Sequence, residues 1–281
     1  MTENPLIPSP TGSTRPIILL GNPVSHSLSP RFQNAAFQAA GVDGIYLALR
    51  CEADHVGSLI RAITAGGGAG NVTVPHKRLA AEAVEARTEA VAKTGACNTY
   101  WAEDGRICGD NTDVPGFEAA VRALIGSLDG VRVLLLGAGG AARAALFALL
   151  RSGADGITLY NRTASRAYAM QEEFEPSGHR VRVVEAVESL HGESFDLVVN
   201  ATSAGLHAGD PLPLELNALG HAGAALDMIY SPGETAWVRH ARSLGIPAAD
   251  GLEMLIQQGA ASFERWWGMP APLEAMRAAL R

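Results

Sequence analysis

The sequence has few cysteines and no excess of positive charge. The cysteines are Cys51, Cys97 and Cys108, and their spacing matches no metal-binding motif. An odd number of cysteines is typical of reduced thiols, so we expect a cytoplasmic protein without a metal site. Aspartate and glutamate outnumber lysine and arginine, 29 to 22. This acidity argues against a nucleic-acid partner, because nucleic-acid-binding proteins usually have a basic face.

Long uninterrupted hydrophobic segments are also missing. Residues 133–150, VLLLGAGGAARAALFALL, approach the length of a membrane span but contain Arg143 and three glycines, so a strand, a turn and a helix explain them better. The PIILL stretch that begins at Pro16 is too short for the core of a signal peptide. Residues 1–14, which are rich in Pro, Ser and Thr, are predicted to form a loose tail. We therefore expect no membrane partner and no export.

What the sequence does contain is a repeated alternation of short apolar runs and alanine-rich helical stretches. With 281 residues, 47% of them hydrophobic and 18% charged, the chain can bury a large core and form two domains. The alternation predicts an α/β fold with mostly parallel sheets. In the first half we expect strands over 17–21, 44–50 and 70–74 and helices over 29–41, 55–67 and 78–92, with Ser29 as N-cap of the first helix. In the second half we expect strands over 131–137, 156–162, 195–202 and 224–230 and a helix over 141–153.

A glycine-rich turn stands between a buried strand and a helix in the second half. Gly137, Gly139 and Ala142 have the G-x-G-x-x-A spacing of the dinucleotide-binding fingerprint. The first glycine permits the tight turn, the second lets the backbone approach a pyrophosphate, and the small third residue lets the helix pack on the strand. The helix N-terminus adds partial positive charge. The sequence therefore predicts a dinucleotide site.

The next strand ends in Asn161, Arg162 and Thr163, with Arg166 four residues after Arg162. An NAD-binding domain usually has an acidic residue at this position, which binds the ribose 2′-hydroxyl. Asp155 is the nearest acid, but it falls before the strand. Guanidinium groups match the geometry of a phosphate. NADP is therefore the expected cofactor.

Polar residues at predicted strand ends and turns mark a second site, in the first half. Lys77 follows the NVTVPH segment, where a strand end would direct it to a cleft rather than to water. Short polar side chains recur in the same positions and could together bind a small polyhydroxylated molecule: Ser27, Ser29, Thr73, Asn98, Thr112 and Asp113.

Together these motifs resemble those of the shikimate dehydrogenase family, in order from Leu20 to Gly268: GNPVSHSLSP, NVTVPHK, GACNT with GDNTDVPGF, GAGGAARA, NRTASRA and DGLEMLIQQGAASFERWWG. The resemblance implies a substrate domain over 15–114, a Rossmann NADP-binding domain over 115–250 with the active site in the cleft between them, and a C-terminal segment, 251–281, that packs back on the substrate domain. It also implies reversible NADP-dependent reduction of 3-dehydroshikimate to shikimate, a step towards chorismate and the aromatic amino acids.

The resemblance further assigns a role to individual positions. Lys77 and Asp113 would be the catalytic pair. The substrate would be bound by Ser27 and Ser29 at its carboxylate, with Tyr230 nearby, and by Thr73, Asn98 and Gln258 at its ring hydroxyls. The cofactor would be bound by Gly137, Ala138, Gly139, Gly140 and Ala141 at the pyrophosphate, by Asn161, Arg162, Thr163 and Arg166 at the 2′-phosphate, and by Met228 and Gly251 at the nicotinamide.

Two positions depart from the family pattern, and two other functions stay open. Gln33 replaces a frequent histidine, and His76 stands where an apolar residue is common; both bear on substrate choice and pH behaviour. One alternative is a quinate/shikimate dehydrogenase with broader cofactor use, and the other is a non-catalytic NADP-binding regulator. The composition fits a monomer or a homodimer.

Overall fold

The computed structural model describes residues 10–176, 180–207, 209–231 and 233–281. These residues form two compact units. The first contains the chain up to Thr112 together with Ile256–Arg281, and the second contains Asp113–Leu255. Both units are built of a six-stranded sheet with helices, so the predicted α/β fold is confirmed.

The strands of the described residues are, in chain order, β1 (Arg15–Gly21), β2 (Gly44–Arg50), β3 (Ala69–Val72), β4 (Ala86–Arg87), β5 (Thr99–Glu103), β6 (Arg106–Asp110), β7 (Arg132–Leu136), β8 (Gly156–Tyr160), β9 (Val181–Val184), β10 (Ser194–Phe195), β11 (Leu197–Asn200), β12 (His221–Ala222), β13 (Ala225–Asp227) and β14 (Ala248–Ala249). The helices are α1 (Ser29–Ala40), α2 (Val56–Ala65), α3 (Lys77–Ala83), α4 (Glu89–Thr94), α5 (Asp113–Ile125), α6 (Gly140–Arg151), α7 (Ala164–Phe174), α8 (Ala236–Ser243), α9 (Leu252–Trp267) and α10 (Leu273–Ala279).

The sheet of the first unit has the order β2-β1-β3-β5-β6-β4. Strands β1, β2 and β3 are parallel, but β5 is antiparallel to both β3 and β6. The β5–β6 hairpin, which the sequence pattern did not predict, turns at Asp104 and Gly105, both with positive φ. Because of this pairing, the carboxyl ends of β1, β3 and β6 and the amino end of β5 lie at the same edge of the sheet.

Three local predictions in the first unit are wrong. Residues 78–92 form two short helices separated by β4 rather than one helix, because Val84 is extended and Ala86 and Arg87 pair with β6. Ser29 is the first residue of α1 and not its N-cap, which is Leu28. The predicted loose tail does not extend to Thr14, whose Oγ1 donates to Asp43 Oδ1 at 2.6 Å; residues 1–9 lie outside the described residues.

The sheet of the second unit is entirely parallel, with the order β14-β13-β11-β7-β8-β9. When only the strands of this sheet are numbered, with β7 as strand 1, the order read from β9 is 3-2-1-4-5-6. This is the order of dinucleotide-binding folds. The strand order reverses between β7 and β11, so a crevice is expected beyond their carboxyl ends. Residues 133–150 form β7, a turn and α6, as predicted.

The tail helices complete the first unit. Helix α9 begins in the second unit, and from Ile256 onward it belongs to the first. There Phe263 packs against Phe37 of α1, and the Gln33 amide donates to the carbonyl of Gly259 at 2.8 Å. Helix α10 packs on α1. Among the helices of the described residues, none has the length and hydropathy needed to cross a bilayer.

Candidate active site

Residues from four strands meet at one edge of the first sheet. Val72 pairs with Leu20, Asn71 with Thr99, and Thr99 with Asp110. Thr73 therefore follows β3, Asn98 precedes β5, and Thr112 follows β6 at neighbouring places on this edge. The sequence prediction located these three polar residues at strand ends or turns, and the structure places them on a single edge.

Lys77 begins α3 directly after the turn that follows β3. The backbone N–H of His76 donates to the Thr73 carbonyl at 2.9 Å, which closes the turn, and the N–H of Cys97 donates to the Lys77 carbonyl at 2.8 Å. Lys77 is half-buried. Of the 22 basic residues, only Lys77 and Lys93 are lysines. Because lysine, unlike arginine, is able to release its proton, Lys77 is one of few basic side chains suited to proton transfer.

His76 and Gln33, the two departures from the family pattern, both have structural contacts. His76 is 3% exposed, and its Nε2 lies 2.9 Å from the carbonyl oxygen of Cys51. Gln33 is fully buried and binds Gly259 of α9. His26, in the GNPVSHSLSP segment, is exposed to solvent. These contacts give His76 and Gln33 a role in holding elements together.

Asn98 connects two predicted site residues of the first unit. It is 2% exposed, and its Nδ2 donates to Oε1 of Gln258 at 3.4 Å. Its Oδ1 accepts the backbone N–H of Thr112 at 2.8 Å. Thr112 is followed directly by Asp113, which begins α5 and is 7% exposed. The amide of Asn98 therefore fixes the backbone immediately before the predicted catalytic carboxylate.

Ser27 and Ser29 lie close together at the start of α1. The backbone N–H of Ser29 donates to Oγ of Ser27 at 3.2 Å. A hydroxyl that accepts one hydrogen bond keeps its own hydrogen to donate, so Ser27 is suited to bind an anion. Ser29 lies near the phenol of Tyr46, whose pKa is raised by burial.

A buried polar cluster beneath this edge was missed by the sequence analysis. Nδ2 of Asn71 lies within 3.0 Å of the Asn98 carbonyl, Thr99 Oγ1 and Ser262 Oγ, and its Oδ1 accepts from Tyr46 at 2.8 Å. The signal was available: Asn71 lies inside an apolar strand, and Ser262 stands one helical turn after Gln258.

In the second unit, the glycine turn lies against the end of the neighbouring strand. Gly137 has φ +113°, and a Cβ built on it would lie 2.8 Å from the carbonyl oxygen of Ala201, which follows β11. Its N–H donates to the Tyr160 carbonyl at 2.8 Å. Gly137 is therefore required both by its conformation and by the close approach of β7 to β11.

Gly139 and Gly140 are glycines for a different reason. A Cβ on either would have no atom of the protein within 4 Å, and Gly139 has an ordinary φ of −91°. Neither the backbone nor packing within the chain excludes a side chain there. These glycines leave open space at the N-terminus of α6, beside Ala138 and Ala141, where the first N–H groups of a helix have no partner within the helix. Such a surface fits a pyrophosphate.

The segment after β8 supplies the predicted 2′-phosphate residues. Asn161 Nδ2 donates to the Thr163 carbonyl at 2.8 Å, which shapes the turn before α7. Arg162 and Arg166 are exposed at this turn. Asp155 precedes β8, where its N–H donates to the Val131 carbonyl at the opposite end of the strand. The structure thus brings cations, and not Asp155, to the carboxyl end of β8.

Met228 and Gly251, the predicted nicotinamide residues, are in contact. A Cβ on Gly251 would lie 2.4 Å from the carbonyl oxygen of Met228. The segment that carries Met228 and the half-buried Tyr230 follows Asp227, which is fully buried. Burial raises the pKa of Asp227, although its carboxylate accepts hydrogen bonds from Thr235, Ile229 and Asn200. Asn200 and Asp227 end adjacent buried strands, and the sequence analysis missed both.

Three family models match the chain: a shikimate dehydrogenase substrate binding domain over residues 19–100, a shikimate / quinate 5-dehydrogenase over 119–208, and a shikimate 5′-dehydrogenase C-terminal domain over 251–281. A shikimate dehydrogenase (NADP(+)) from Rubrobacter xylanophilus is 40% identical, and the match covers 98% of each chain. The chain belongs to the shikimate dehydrogenase family.

Other members of the family agree with this assignment. A shikimate dehydrogenase (NADP(+)) from Halobacterium salinarum is 42% identical over 94% of this chain and 97% of its own. The crystal structure of the Aquifex aeolicus shikimate dehydrogenase superposes with a TM-score of 0.88 at 33% identity, covering 96% of this chain and 99% of that one. The Thermus thermophilus shikimate 5-dehydrogenase, solved with NADP(H) and shikimate, gives 0.85 at 35% identity, covering 94% and 98%.

Cys97 directly precedes Asn98, which is one of the predicted substrate residues. A cysteine in this position could in principle act as a nucleophile. Its Sγ lies 3.2 Å from the Thr99 carbonyl, and burial raises the pKa of its thiol to about 12. The thiolate, which is the reactive form, is therefore scarce at neutral pH. Cys97 is a core residue rather than a nucleophile.

We predict that Cys97 of the native protein stays unmodified by iodoacetamide between pH 7 and pH 9. In this range the pH remains well below the thiol pKa of about 12, so the protonated form dominates. Peptide mass mapping after labelling measures the modification at each cysteine, and labelling in urea provides the control because unfolding restores the ordinary thiol. Rapid labelling of native Cys97 at pH 7 would contradict the assignment.

Proposed function

We propose that this chain catalyses the reversible, NADP-dependent reduction of 3-dehydroshikimate to shikimate, a step in the synthesis of chorismate and the aromatic amino acids. The observation that carries the proposal is the 40% identity to a shikimate dehydrogenase (NADP(+)) over nearly the full length of both chains. The Thermus thermophilus structure with NADP(H) and shikimate supports the same substrate and cofactor.

The cofactor part of the proposal rests on the second unit. The open glycines at the N-terminus of α6 accept a pyrophosphate at the point where the strand order reverses. Arg162 and Arg166, with Asn161 and Thr163, take the 2′-phosphate that distinguishes NADP from NAD. Met228 and Gly251 line the nicotinamide. Residues 115–250 are accordingly the cofactor domain of the proposal.

The substrate part rests on the polar edge of the first sheet. Thr73, Asn98 and Gln258 carry hydroxyl and amide groups that match ring hydroxyls, since a buried hydroxyl needs both a donor and an acceptor. Ser27 and Ser29, with Tyr230, bind the carboxylate. Residues 15–114 form the substrate domain in this proposal, and 251–281 contribute Gln258.

Proton transfer is assigned to Lys77 and Asp113. NADP supplies hydride exchange at nicotinamide C4 when it is bound. In the reductive direction an acid must give a proton to the oxygen that gains negative charge, and in the oxidative direction the same group takes the proton back. A lysine does this if a neighbouring carboxylate orients it and shares the proton. We therefore assign Lys77 as the acid–base group and Asp113 as its partner.

The function is tested by steady-state kinetics with shikimate and quinate as substrates, each with NADP+ and NAD+. We expect kcat/KM to be highest for shikimate with NADP+, because two guanidinium groups face the 2′-phosphate and no acid replaces them. Comparable kcat/KM for quinate, or for both cofactors, would favour a quinate/shikimate dehydrogenase. No turnover of any pair would favour a non-catalytic NADP-binding protein.

We predict that Lys77→Ala lowers kcat for shikimate oxidation by about two to four orders of magnitude, the usual contribution of an acid–base group, with KM little changed. Lys93→Ala is the matched control, because Lys93 is the other lysine of the chain and is exposed on α4. Its kcat should equal that of the wild type. If Lys77→Ala keeps a near-normal kcat, Lys77 is at most a binding residue.

We also predict that Gly139→Ala raises Kd for NADP+ about tenfold, equivalent to ~1.4 kcal/mol. The added methyl group meets no protein atom, but Gly139 is the N-cap of α6, where glycine is preferred over alanine, so the free energy of unfolding without cofactor should fall by no more than about 1 kcal/mol. Gly156→Ala is the control. An added Cβ there also meets open space, but Gly156 begins β8, at the end of the strand that is remote from the predicted 2′-phosphate residues. Equal NADP+ affinity in both variants would contradict the proposed cradle.

A further inference from the structure

Ser262 of the tail helix α9 is a buried hydroxyl to which the family comparison assigns no role. It is fully buried. Its Oγ donates to the carbonyl of Gln258 at 2.9 Å, one turn earlier in the same helix. A hydroxyl has one hydrogen and two lone pairs, so Ser262 makes at most three hydrogen bonds at a time. Its other partners lie in or beside three strands of the first sheet.

The partners of Ser262 lie within β3, at the start of β5 and just after β6. Asn71 Nδ2 lies 3.0 Å from Ser262 Oγ, Thr99 Oγ1 2.7 Å and Thr112 Oγ1 3.0 Å. Thr99 and Thr112 each also reach Asn98 Oδ1. One hydroxyl of α9 therefore holds together the residues that flank Asn98 in space.

Arg265 lies three residues after Ser262 in the same helix. It binds Asp110, two residues before Thr112. Its guanidinium donates to Asp110 Oδ2 from Nε at 3.0 Å and from Nη2 at 2.9 Å. The other oxygen of Asp110 accepts from Thr88 and from the backbone N–H of Asn111. Residues Asp110–Thr112, here called the junction, lead from β6 into α5 and end immediately before Asp113. The junction is thus held by α9 through two independent contacts.

We propose that Ser262 is a positioning residue for Asp113, acting through Thr112 and the junction. The inference rests on the proposed catalytic role of Asp113. A carboxylate displaced by a fraction of an ångström from its partner loses a large part of its catalytic effect. Ser262 restrains the side chain of Thr112 while Asn98 restrains its backbone N–H. Thr112, the residue directly before Asp113, is consequently held through both its side chain and its backbone.

The deletion of this hydroxyl leaves its neighbours with other hydrogen bonds, so the fold survives it. In Ser262→Ala, Asn71 Nδ2 keeps the Asn98 carbonyl and Thr99 Oγ1, and Thr112 Oγ1 keeps Asn98 Oδ1. Thr112→Val removes the same contact from the other partner with little change of shape. Thr64→Val is the matched control: Thr64 is a buried hydroxyl of the first unit that bonds only carbonyls of its own helix, those of Ile60 and Arg61.

The first measurement is hydrogen exchange of the Thr112 backbone N–H by NMR in the protein without ligands. Exchange should be at least about tenfold faster in Ser262→Ala than in the wild type or in Thr64→Val, because loss of the side-chain restraint opens the bond to Asn98 more often. Unchanged exchange in Ser262→Ala would overturn the proposal. This readout does not depend on enzyme activity.

The second measurement is steady-state kinetics with shikimate and NADP+. Ser262→Ala and Thr112→Val should each lower kcat about 10- to 100-fold, with KM for NADP+ within about twofold. In an Asp113→Asn background, Ser262→Ala should cause no further loss, because the carboxylate that it positions is gone. An equal loss in that background would overturn the proposal, since Ser262 would then act elsewhere. Lack of turnover in the wild type would reject the proposed function itself, and the exchange rates would still decide whether Ser262 holds the junction.

Discussion

A buried amide or hydroxyl destabilises a protein unless it finds a hydrogen-bond partner, and this constraint organises the edge of the first sheet. Asn98 has four polar atoms to satisfy there, and they bind Gln258, Thr112, the backbone N–H of Val72 and the carbonyl of Asp110. Each partner is thereby fixed in one orientation. The arrangement of the candidate substrate residues follows from this requirement, because polar atoms at the edge align one another without metal or disulfide.

The second unit obeys a different constraint, the close approach of backbones. Gly137 allows the end of β7 to lie against Ala201, and Gly251 allows the start of α9 to lie against Met228. Gly139 and Gly140 instead leave room outside the chain. Glycines in this unit therefore serve two purposes. Gly137 and Gly251 permit close approach of backbones, and the open space at Gly139 and Gly140 indicates room for a ligand.

The sequence predicted the second unit better than the first, for a physical reason. Its strands are parallel and buried on both faces, so each appears as an apolar run between glycine and polar residues. In the first unit the β5–β6 hairpin mixes polar and apolar residues, and β4 interrupts an alanine-rich stretch whose helix propensity is overridden by pairing with β6. Ser29 also failed as an N-cap because Leu28 already has helical dihedrals.

The candidate site was predictable where each residue lies at a strand end or a turn, as for Thr73, Asn98 and Lys77. The contacts of Asn71 and Ser262 were not, because they join residues that are 191 positions apart in the chain. Local pattern carries no information on such a contact. Asn200 and Asp227 were missed for a similar reason, since their contact joins residues 27 positions apart, although each ends a buried strand.

The course of α9 has a consequence for the order in which the protein is made. A ribosome releases residues 10–112 long before it reaches Ser262, Phe263 and Arg265, which in the folded first unit contact Asn71, Phe37 and Asp110. The second unit, Asp113–Leu255, is synthesised without interruption. The part of the protein that is translated first is therefore completed last, and a chain without Ile256–Arg281 lacks Gln258 of the candidate substrate site.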